Sequence, residues 1–335
     1  MSKKQPSSLE ILRDSLLKNS LFVKLLSSKT IAVFFLGLII VILTNSKYPN
    51  FYSDELYLNL KPFSSPKNLD SKFFSAPSSY PQRKLGASIP PQTTARALFV
   101  VDPLSSVVLF SKNKDSKLLP ASTTKLMTAV VALENCNPDK VVSVKRSKVD
   151  GTVIGLSQGE NITIKNLLFA TLVASANDAA FALADNCAEN YDSFIFRMNQ
   201  KAGELNMKDT QFSNPAGLDS ANLYSTAEDL AKLAKVAFIE SPVIEEISNT
   251  RTLVMTNTLA NKTYPLTNLN ELLFSVPGVI AGKTGTTDGA GQNLITLTNR
   301  ENKELIIVLL GSQNRFEESQ NIIEWAYQNF EWISY

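Results

Sequence analysis

A serine and a lysine stand three residues apart where the first strongly helical segment begins. The segment reads Pro120-Ala121-Ser122-Thr123-Thr124-Lys125 and continues into the apolar run 126–131. Residues three apart on a helix face the same side, so the amine of Lys125 can reach the hydroxyl of Ser122. Apolar neighbours disfavour a charged lysine, and a neutral amine can accept a proton from a serine nucleophile. Taken alone, the pattern also fits a helix N-cap serine beside a solvated lysine.

The composition narrows the kinds of catalyst that the chain can form. Its 335 residues include no histidine and two cysteines, Cys136 and Cys187. The absence of histidine excludes Ser-His and Cys-His arrangements and most zinc sites. Two cysteines without metal-ligand spacing leave two alternatives open, a disulfide or two buried thiols.

The charge balance bears on the class of partner. Lysine and arginine number 33 against 31 aspartates and glutamates, which gives a net charge of +2. A domain that binds nucleic acid ordinarily carries a strongly basic patch or stripe. We therefore expect no nucleic-acid partner.

A second pair of polar side chains follows an apolar helical run. Ser175-Ala176-Asn177 comes directly after residues 166–174, an ending that favours a loop facing a cleft. A hydroxyl and a carboxamide two residues apart can relay a proton and hold a peptide amide. A helix break capped by Asn177-Asp178 is the simpler alternative.

A second lysine lies in a glycine-containing segment of strand character. Lys283-Thr284-Gly285-Thr286-Thr287 follows Gly278-Val279-Ile280-Ala281-Gly282. Glycines within a strand permit close backbone approach, and a substrate can add to an exposed edge as an extra strand. We expect Lys283 on such an edge strand, with a solvated turn lysine as the alternative.

The N-terminal part predicts membrane attachment. Residues 1–30 are polar and basic, and residues 31–46 contain no charged side chain. A basic flank stays in the cytoplasm, so we expect a cytoplasmic leader at 1–30 and a transmembrane signal-anchor at 31–46, with the remainder extracytoplasmic. A cleaved signal peptide ending near Thr44-Asn45-Ser46 is the alternative. Residues 47–93, rich in Pro, Ser, Asn and Lys, predict a flexible linker.

The remainder, residues 94–335, predicts one α+β domain. Strand patterns lie at both ends and helical patterns lie between them, which favours a sheet built from pieces distant in sequence. The predicted elements are a hairpin (97–101 and 106–110), helices or helix-rich stretches (122–134, 165–200, 227–239 and 316–330) and two strands (293–299 and 304–311).

The order Ser-x-x-Lys, Ser-x-Asn, Lys-Thr-Gly resembles the motif set of penicillin-binding proteins and class A β-lactamases. More narrowly, the chain resembles the low-molecular-mass D-alanyl-D-alanine carboxypeptidases. Similar stretches occur at residues 175–180, 212–218, 224–230, 282–287 and 315–316, and the resemblance covers about residues 94 to 332. It implies an antiparallel sheet flanked by helices with a helical subdomain.

The resemblance also implies a reaction. Ser122 would attack the carbonyl of the penultimate D-alanine of a peptidoglycan stem peptide, and Lys125 would accept its proton. Ser175 would help pass a proton to the departing D-alanine. Water would then resolve the acyl-enzyme, with no metal or organic cofactor, and β-lactams would inhibit by acylating Ser122.

The same resemblance implies a set of substrate-binding residues. Asn177 would hold the substrate amide, and the backbone N–H groups of Ser122 and Thr286 would form the oxyanion hole. The remaining candidates would engage the active-site network or the substrate's terminal carboxylate: Lys283, Thr284, Gly285, Thr286 and Arg315. For Arg315, a surface position ahead of the last helix is the alternative.

Several features separate this chain from the family pattern or leave other activities open. Thr286 stands where the family often has an aromatic residue or histidine, and the N-terminal anchor would replace the C-terminal tether of many relatives. No Glu-x-x-Leu-Asn segment lies between Asn177 and Lys283, which disfavours a class A β-lactamase. A D,D-endopeptidase, or a sensor of β-lactams or muropeptides, would use the same cleft.

Overall fold

A five-stranded antiparallel sheet forms the centre of the fold. The computed structural model describes residues 79–146, 148–259 and 261–334. The strand order is β3-β2-β10-β9-β8. The strands are β2 (Ala97–Val101), β3 (Val108–Lys112), β8 (Val279–Thr287), β9 (Gly291–Arg300) and β10 (Lys303–Ser312). The predicted α+β architecture, the hairpin and the edge position of Lys283 in β8 are confirmed.

Helices cover both faces of this sheet. Successive side chains of a strand point to opposite faces. On β10, Ile306 and Val308 therefore join the larger core, whereas Ile307 and Leu309 join the smaller one. Burial on both faces explains why β10 carries six consecutive apolar residues, at 305–310, rather than an alternating pattern.

The larger core lies beneath a helical subdomain. Its helices are α1 (Lys125–Asn135), α2 (Ile164–Leu172), α3 (Asn177–Asn186), α4 (Tyr191–Glu204), α5 (Ala227–Lys235) and α6 (Pro242–Asn249). A short helix α7 (Leu272–Ser275) precedes β8, and α8 (Arg315–Asn329) covers the opposite face. Two small hairpins extend the subdomain: β4 (Val141–Ser143) with β5 (Asn161–Thr163), and β6 (Thr252–Thr256) with β7 (Thr263–Thr267).

A disulfide joins two helix ends within this subdomain. Cys136 follows α1 and Cys187 follows α3, and the Cα atoms of the pair are 5.4 Å apart. Of the two alternatives that the sequence left open, the structure contains the disulfide.

The linker predicted for residues 47–93 is wrong at its C-terminal end. Strand β1 (Ser79–Arg83) pairs with the last strand, β11 (Phe330–Ser334), and so belongs to the folded domain. Pairing with a strand some 250 positions away leaves no local signal in a stretch rich in Pro and Ser. The predicted leader (1–30) and anchor (31–46) lie outside the described residues, and within the described part no helix is long and apolar enough to cross a membrane.

Candidate active site

Ser122 lies in a 3₁₀ turn that two glycines enclose. The turn spans Ala121–Thr124, and Ala121 has a φ of 49°, in the left-handed region. A Cβ atom placed on Gly217 would lie 1.8 Å from the Ala121 carbonyl oxygen, and one on Gly285 would lie 2.9 Å from the Ser122 nitrogen. Because neither position has room for a side chain, two distant segments hold the serine from both sides.

Lys125 is fully buried against this serine. Its Nζ lies 2.8 Å from Ser122 Oγ and 2.7 Å from the Ala216 carbonyl oxygen. Burial lowers the pKa of Lys125 well below its usual value, the nearby charge of Lys283 lowers it further, and Asp178 opposes the change. A neutral Lys125 is thus favoured, and its lone pair can receive the proton of Ser122.

The second hydroxyl–amine pair joins Ser175 to Lys283. Ser175, in the connection between α2 and α3, has a φ of 56° and is 3% exposed. Lys283 donates from Nζ to Ser175 Oγ at 2.8 Å and to the Thr284 carbonyl oxygen at 3.1 Å. Burial, with a smaller contribution from the positive charge of Arg315, lowers the pKa of Lys283 to about 7. Near neutral pH this amine can therefore both supply and accept a proton.

Asn177, the first residue of α3, offers a hydrogen-bond acceptor. Its Nδ2 donates to the Asp150 carbonyl oxygen at 2.6 Å, whereas its buried Oδ1 has no partner among the described residues. Gly151 passes so close that a Cβ atom there would lie 2.6 Å from Nδ2. A buried acceptor without a partner is costly, so an amide N–H of a bound molecule would satisfy Oδ1 favourably.

Arg315 joins the site from the start of α8. Its Nη1 donates to the Gly285 carbonyl oxygen at 3.1 Å and to the Thr286 hydroxyl. The guanidinium therefore lies beside an exposed threonine of β8, where a carboxylate can bind it. These contacts connect Arg315 to β8, and its role in binding a carboxylate stays a prediction.

Strand β8 brings the predicted residues together. Gly285 lies against Ser122, Lys283 bonds Ser175, and Thr284, which is 4% exposed, stands between them. Asn177 follows Ser175 by two positions. Within the described part of the chain, no group of three or more His, Cys, Asp or Glu side chains could hold a metal ion.

Sequence reasoning assigned no role to a turn on the other side of Ser122. Within this turn, the Ala216 carbonyl contacts Lys125 and Gly217 contacts Ala121. Asp219, just beyond it, accepts from the Thr287 hydroxyl at 2.7 Å and from the Gly289 N–H at 3.2 Å. The signal was present in the family-like stretch 212–218, whose glycine marks a position with positive φ.

Comparison with known proteins identifies the family. Residues 84–314 match the model of the peptidase S11 family, described as D-alanyl-D-alanine carboxypeptidase. The chain belongs to this family. The match confirms the resemblance that the three motifs indicated.

Individual relatives agree with this assignment. The D-alanyl-D-alanine carboxypeptidase DacC of Escherichia coli is 33% identical over 73% of this chain, and the chain spans 64% of that relative's length. The D-alanyl-D-alanine endopeptidase of the same organism is 32% identical, over 70% of this chain and 78% of that protein. The D-alanyl-D-alanine carboxypeptidase structure from Mycobacterium tuberculosis superposes with a TM-score of 0.68 at 28% identity, covering 74% of this chain and 96% of that one.

Gly285→Ala should displace Ser122. The added methyl group would meet the serine's backbone nitrogen at 2.9 Å, and such overpacking costs about 1–3 kcal/mol. We expect labelling by fluorescent penicillin to slow at least tenfold, together with a lower melting temperature.

Gly203→Ala is the matched control, because its Cβ would have nothing within 4 Å. This helical variant should label normally and be up to about 1 kcal/mol more stable. Equal labelling rates in the two variants would contradict the enclosure of Ser122 by β8.

Proposed function

We propose that this protein is a serine D-Ala-D-Ala carboxypeptidase that removes the terminal D-alanine from peptidoglycan stem peptides. The main observation behind this proposal is the 2.8 Å distance between Ser122 Oγ and Nζ of the fully buried Lys125. At this distance the serine hydroxyl, as nucleophile, lies within hydrogen-bond reach of a base whose neutral form is favoured. Membership of the family and the similarity to carboxypeptidases support the choice of substrate.

Acylation begins when Lys125 accepts the proton of Ser122 while Oγ attacks the carbonyl carbon of the penultimate D-alanine. Negative charge then develops on the carbonyl oxygen, where the backbone N–H groups of Ser122 and Thr286 act as the oxyanion hole. A donor of this kind contributes about 3 to 4 kcal/mol to transition-state stabilisation. The C–N bond breaks as Ser175 gives its proton to the departing amine and takes one from Lys283. Water then attacks the ester carbonyl, its proton passes through Ser175 back to Lys283, and Lys125 returns its proton to Ser122 Oγ as the C–O bond breaks.

Three groups orient the peptide in this proposal. The substrate backbone lies along β8, whose other neighbour in the sheet is β9. Asn177 Oδ1 accepts a hydrogen bond from a substrate amide, which supplies its missing partner. Arg315, with the hydroxyls of Thr284 and Thr286, binds the terminal carboxylate, and Lys283 adds positive charge.

The test of the reaction compares wild-type protein with Ser122→Ala on a peptide that ends in D-Ala-D-Ala. We expect the variant to lose D-alanine release by roughly 10³-fold or more, because the nucleophile is absent. Ser111→Ala, on the exposed face of the remote edge strand β3, should keep full activity.

Other outcomes of this test identify other activities. If the wild type is labelled by penicillin but releases no D-alanine, the carboxypeptidase proposal is wrong. Cleavage of a cross-linked muropeptide dimer would then establish an endopeptidase, as in the Escherichia coli relative. Stable labelling without turnover of either peptide would establish a sensor.

The role of Arg315 is tested with two substrates that differ in one group. Arg315→Gln should lower kcat/KM about 10- to 100-fold on a peptide with a free terminal carboxylate, since a hydrogen bond to a charged group is worth about 1.5–3 kcal/mol. On the same peptide with a terminal carboxamide, the two proteins should differ little. Arg197→Gln, which breaks a surface ion pair with Glu189, is the control. An equal loss on both substrates would refute carboxylate binding.

We also propose that residues 31–46 anchor the protein in the cell membrane, with the catalytic domain extracytoplasmic. The basic leader before an uncharged stretch supports this orientation. So does the disulfide, because disulfides persist in oxidising compartments.

The anchor is tested by fractionation. The full chain should stay in carbonate-washed membranes and expose its catalytic domain to protease added to spheroplasts. A variant lacking residues 31–46 should leave the membrane fraction. Recovery of the full chain in the soluble fraction would contradict an uncleaved anchor.

A further inference from the structure

Asn214 closes a turn with both ends of its carboxamide. Its Oδ1 accepts hydrogen bonds from the backbone N–H groups of Ala216, Gly217 and Leu218, at 3.2, 2.8 and 3.0 Å. Its Nδ2 donates to the Leu218 carbonyl oxygen at 2.8 Å. The side chain is 9% exposed. One carboxamide therefore determines the path of the backbone from residue 214 to residue 218.

This turn directs two consecutive carbonyl groups at α1. The Pro215 carbonyl oxygen accepts from the Thr128 hydroxyl at 2.6 Å, and that of Ala216 accepts from Lys125 Nζ at 2.7 Å. The turn also brings Gly217 against Ala121. Asn214 has no hydrogen bond to Lys125 in this arrangement, so the carboxamide orients the amine through the Ala216 peptide.

The Ala216 carbonyl matters because a neutral amine has two N–H donors and one lone pair. When one N–H is bonded to that carbonyl, rotation about the terminal C–N bond is restricted and the lone pair can face Ser122 Oγ. We propose that Asn214 is a positioning residue for the serine–lysine pair: by holding the Ala216 carbonyl, it aims the Lys125 lone pair at Ser122. The proposal rests on the proposed acyl-enzyme function.

The pKa of Lys125 responds to the charged and polar groups around its amine, so its titration midpoint reports on how the amine is placed. Lys283 from β8 lowers the pKa of Lys125, and Asp178 from α3 raises it. The Ala216 carbonyl favours the ammonium form, since it accepts a hydrogen bond from it. Loss of that acceptor should lower the titration midpoint of Lys125. A carboxylate in place of the Asn214 carboxamide should raise it.

The experiment titrates Lys125 by ¹³C NMR in the full chain with ε-¹³C lysine, its signal assigned with Lys125→Arg. Relative to wild type, Asn214→Ala should move the midpoint down by about half to one pH unit, the equivalent of one hydrogen bond. Asn214→Asp should move it up. Acylation by fluorescent penicillin should slow about 10- to 100-fold in Asn214→Ala, because small misplacements of a reacting group cost that much.

A matched control separates positioning from stability. Asn329, at the far end of α8, is similarly buried and bonds Ser88 and the Trp325 carbonyl. Asn329→Ala should lower the melting temperature without moving the Lys125 midpoint. If both folded Asn214 variants titrate like wild type, the proposal is overturned. If Asn214→Ala does not fold, an unchanged midpoint in Asn214→Asp alone overturns it.

The NMR titration does not require turnover. A protein that releases no D-alanine but shows opposite midpoint shifts in the two variants would refute the carboxypeptidase function and retain the positioning of Lys125. A protein that releases D-alanine but shows no midpoint shift in either variant would retain the carboxypeptidase function and refute the positioning role of Asn214.

Discussion

The burial of the Lys125 amine beside Ser122 is the constraint on which the rest of the site depends. A charged ammonium group removed from water is costly, so the amine must shift to its neutral form or find hydrogen-bond partners. Here it has two oxygen partners, Ser122 Oγ and the Ala216 carbonyl. One is the hydroxyl of the proposed nucleophile, and the other belongs to a turn that approaches α1 from a distant part of the chain. The same burial that lowers the amine's pKa therefore suits it to act as the base of the proposed reaction.

Strand β8 contacts the other candidate residues of the cleft and so fixes their positions relative to Ser122. Its Lys283 bonds Ser175, its Gly285 lies against Ser122, and its Thr286 meets Arg315. A strand at a sheet edge has an unpaired side that a peptide can extend. The sheet is rigid because its two cores are close-packed on either face. Side chains attached to such a scaffold hold their separations within the small tolerance that the proposed acyl transfer requires.

The pair of buried lysines offers a route for the proposed proton transfers in a chain without histidine. Each amine bonds a serine hydroxyl, burial lowers the pKa of both, and the positive charge of Lys283 lowers the pKa of Lys125 further. In the proposed reaction one amine receives the proton of the attacking serine, and the other serves the departing D-alanine through Ser175. In this proposal the Lys125–Ser122 pair contains the general base, and the Lys283–Ser175 pair acts as the general acid.

The sequence by itself determined the local elements of this protein, through the spacing of its apolar and polar residues. The spacing of Ser122 and Lys125, the hairpin of β2 and β3, and the extended segment around Lys283 follow from contacts between near neighbours, which backbone geometry dictates. The order of the three motifs was enough to indicate the family. Only the tertiary structure decided the pairing of Lys283 with Ser175 and of Cys136 with Cys187, the turn held by Asn214, and the strand at Ser79–Arg83. Most of those contacts join residues that are distant in sequence, and the turn held by Asn214 is local but contacts the distant Lys125. They depend on how helices and strands pack, which no local pattern encodes.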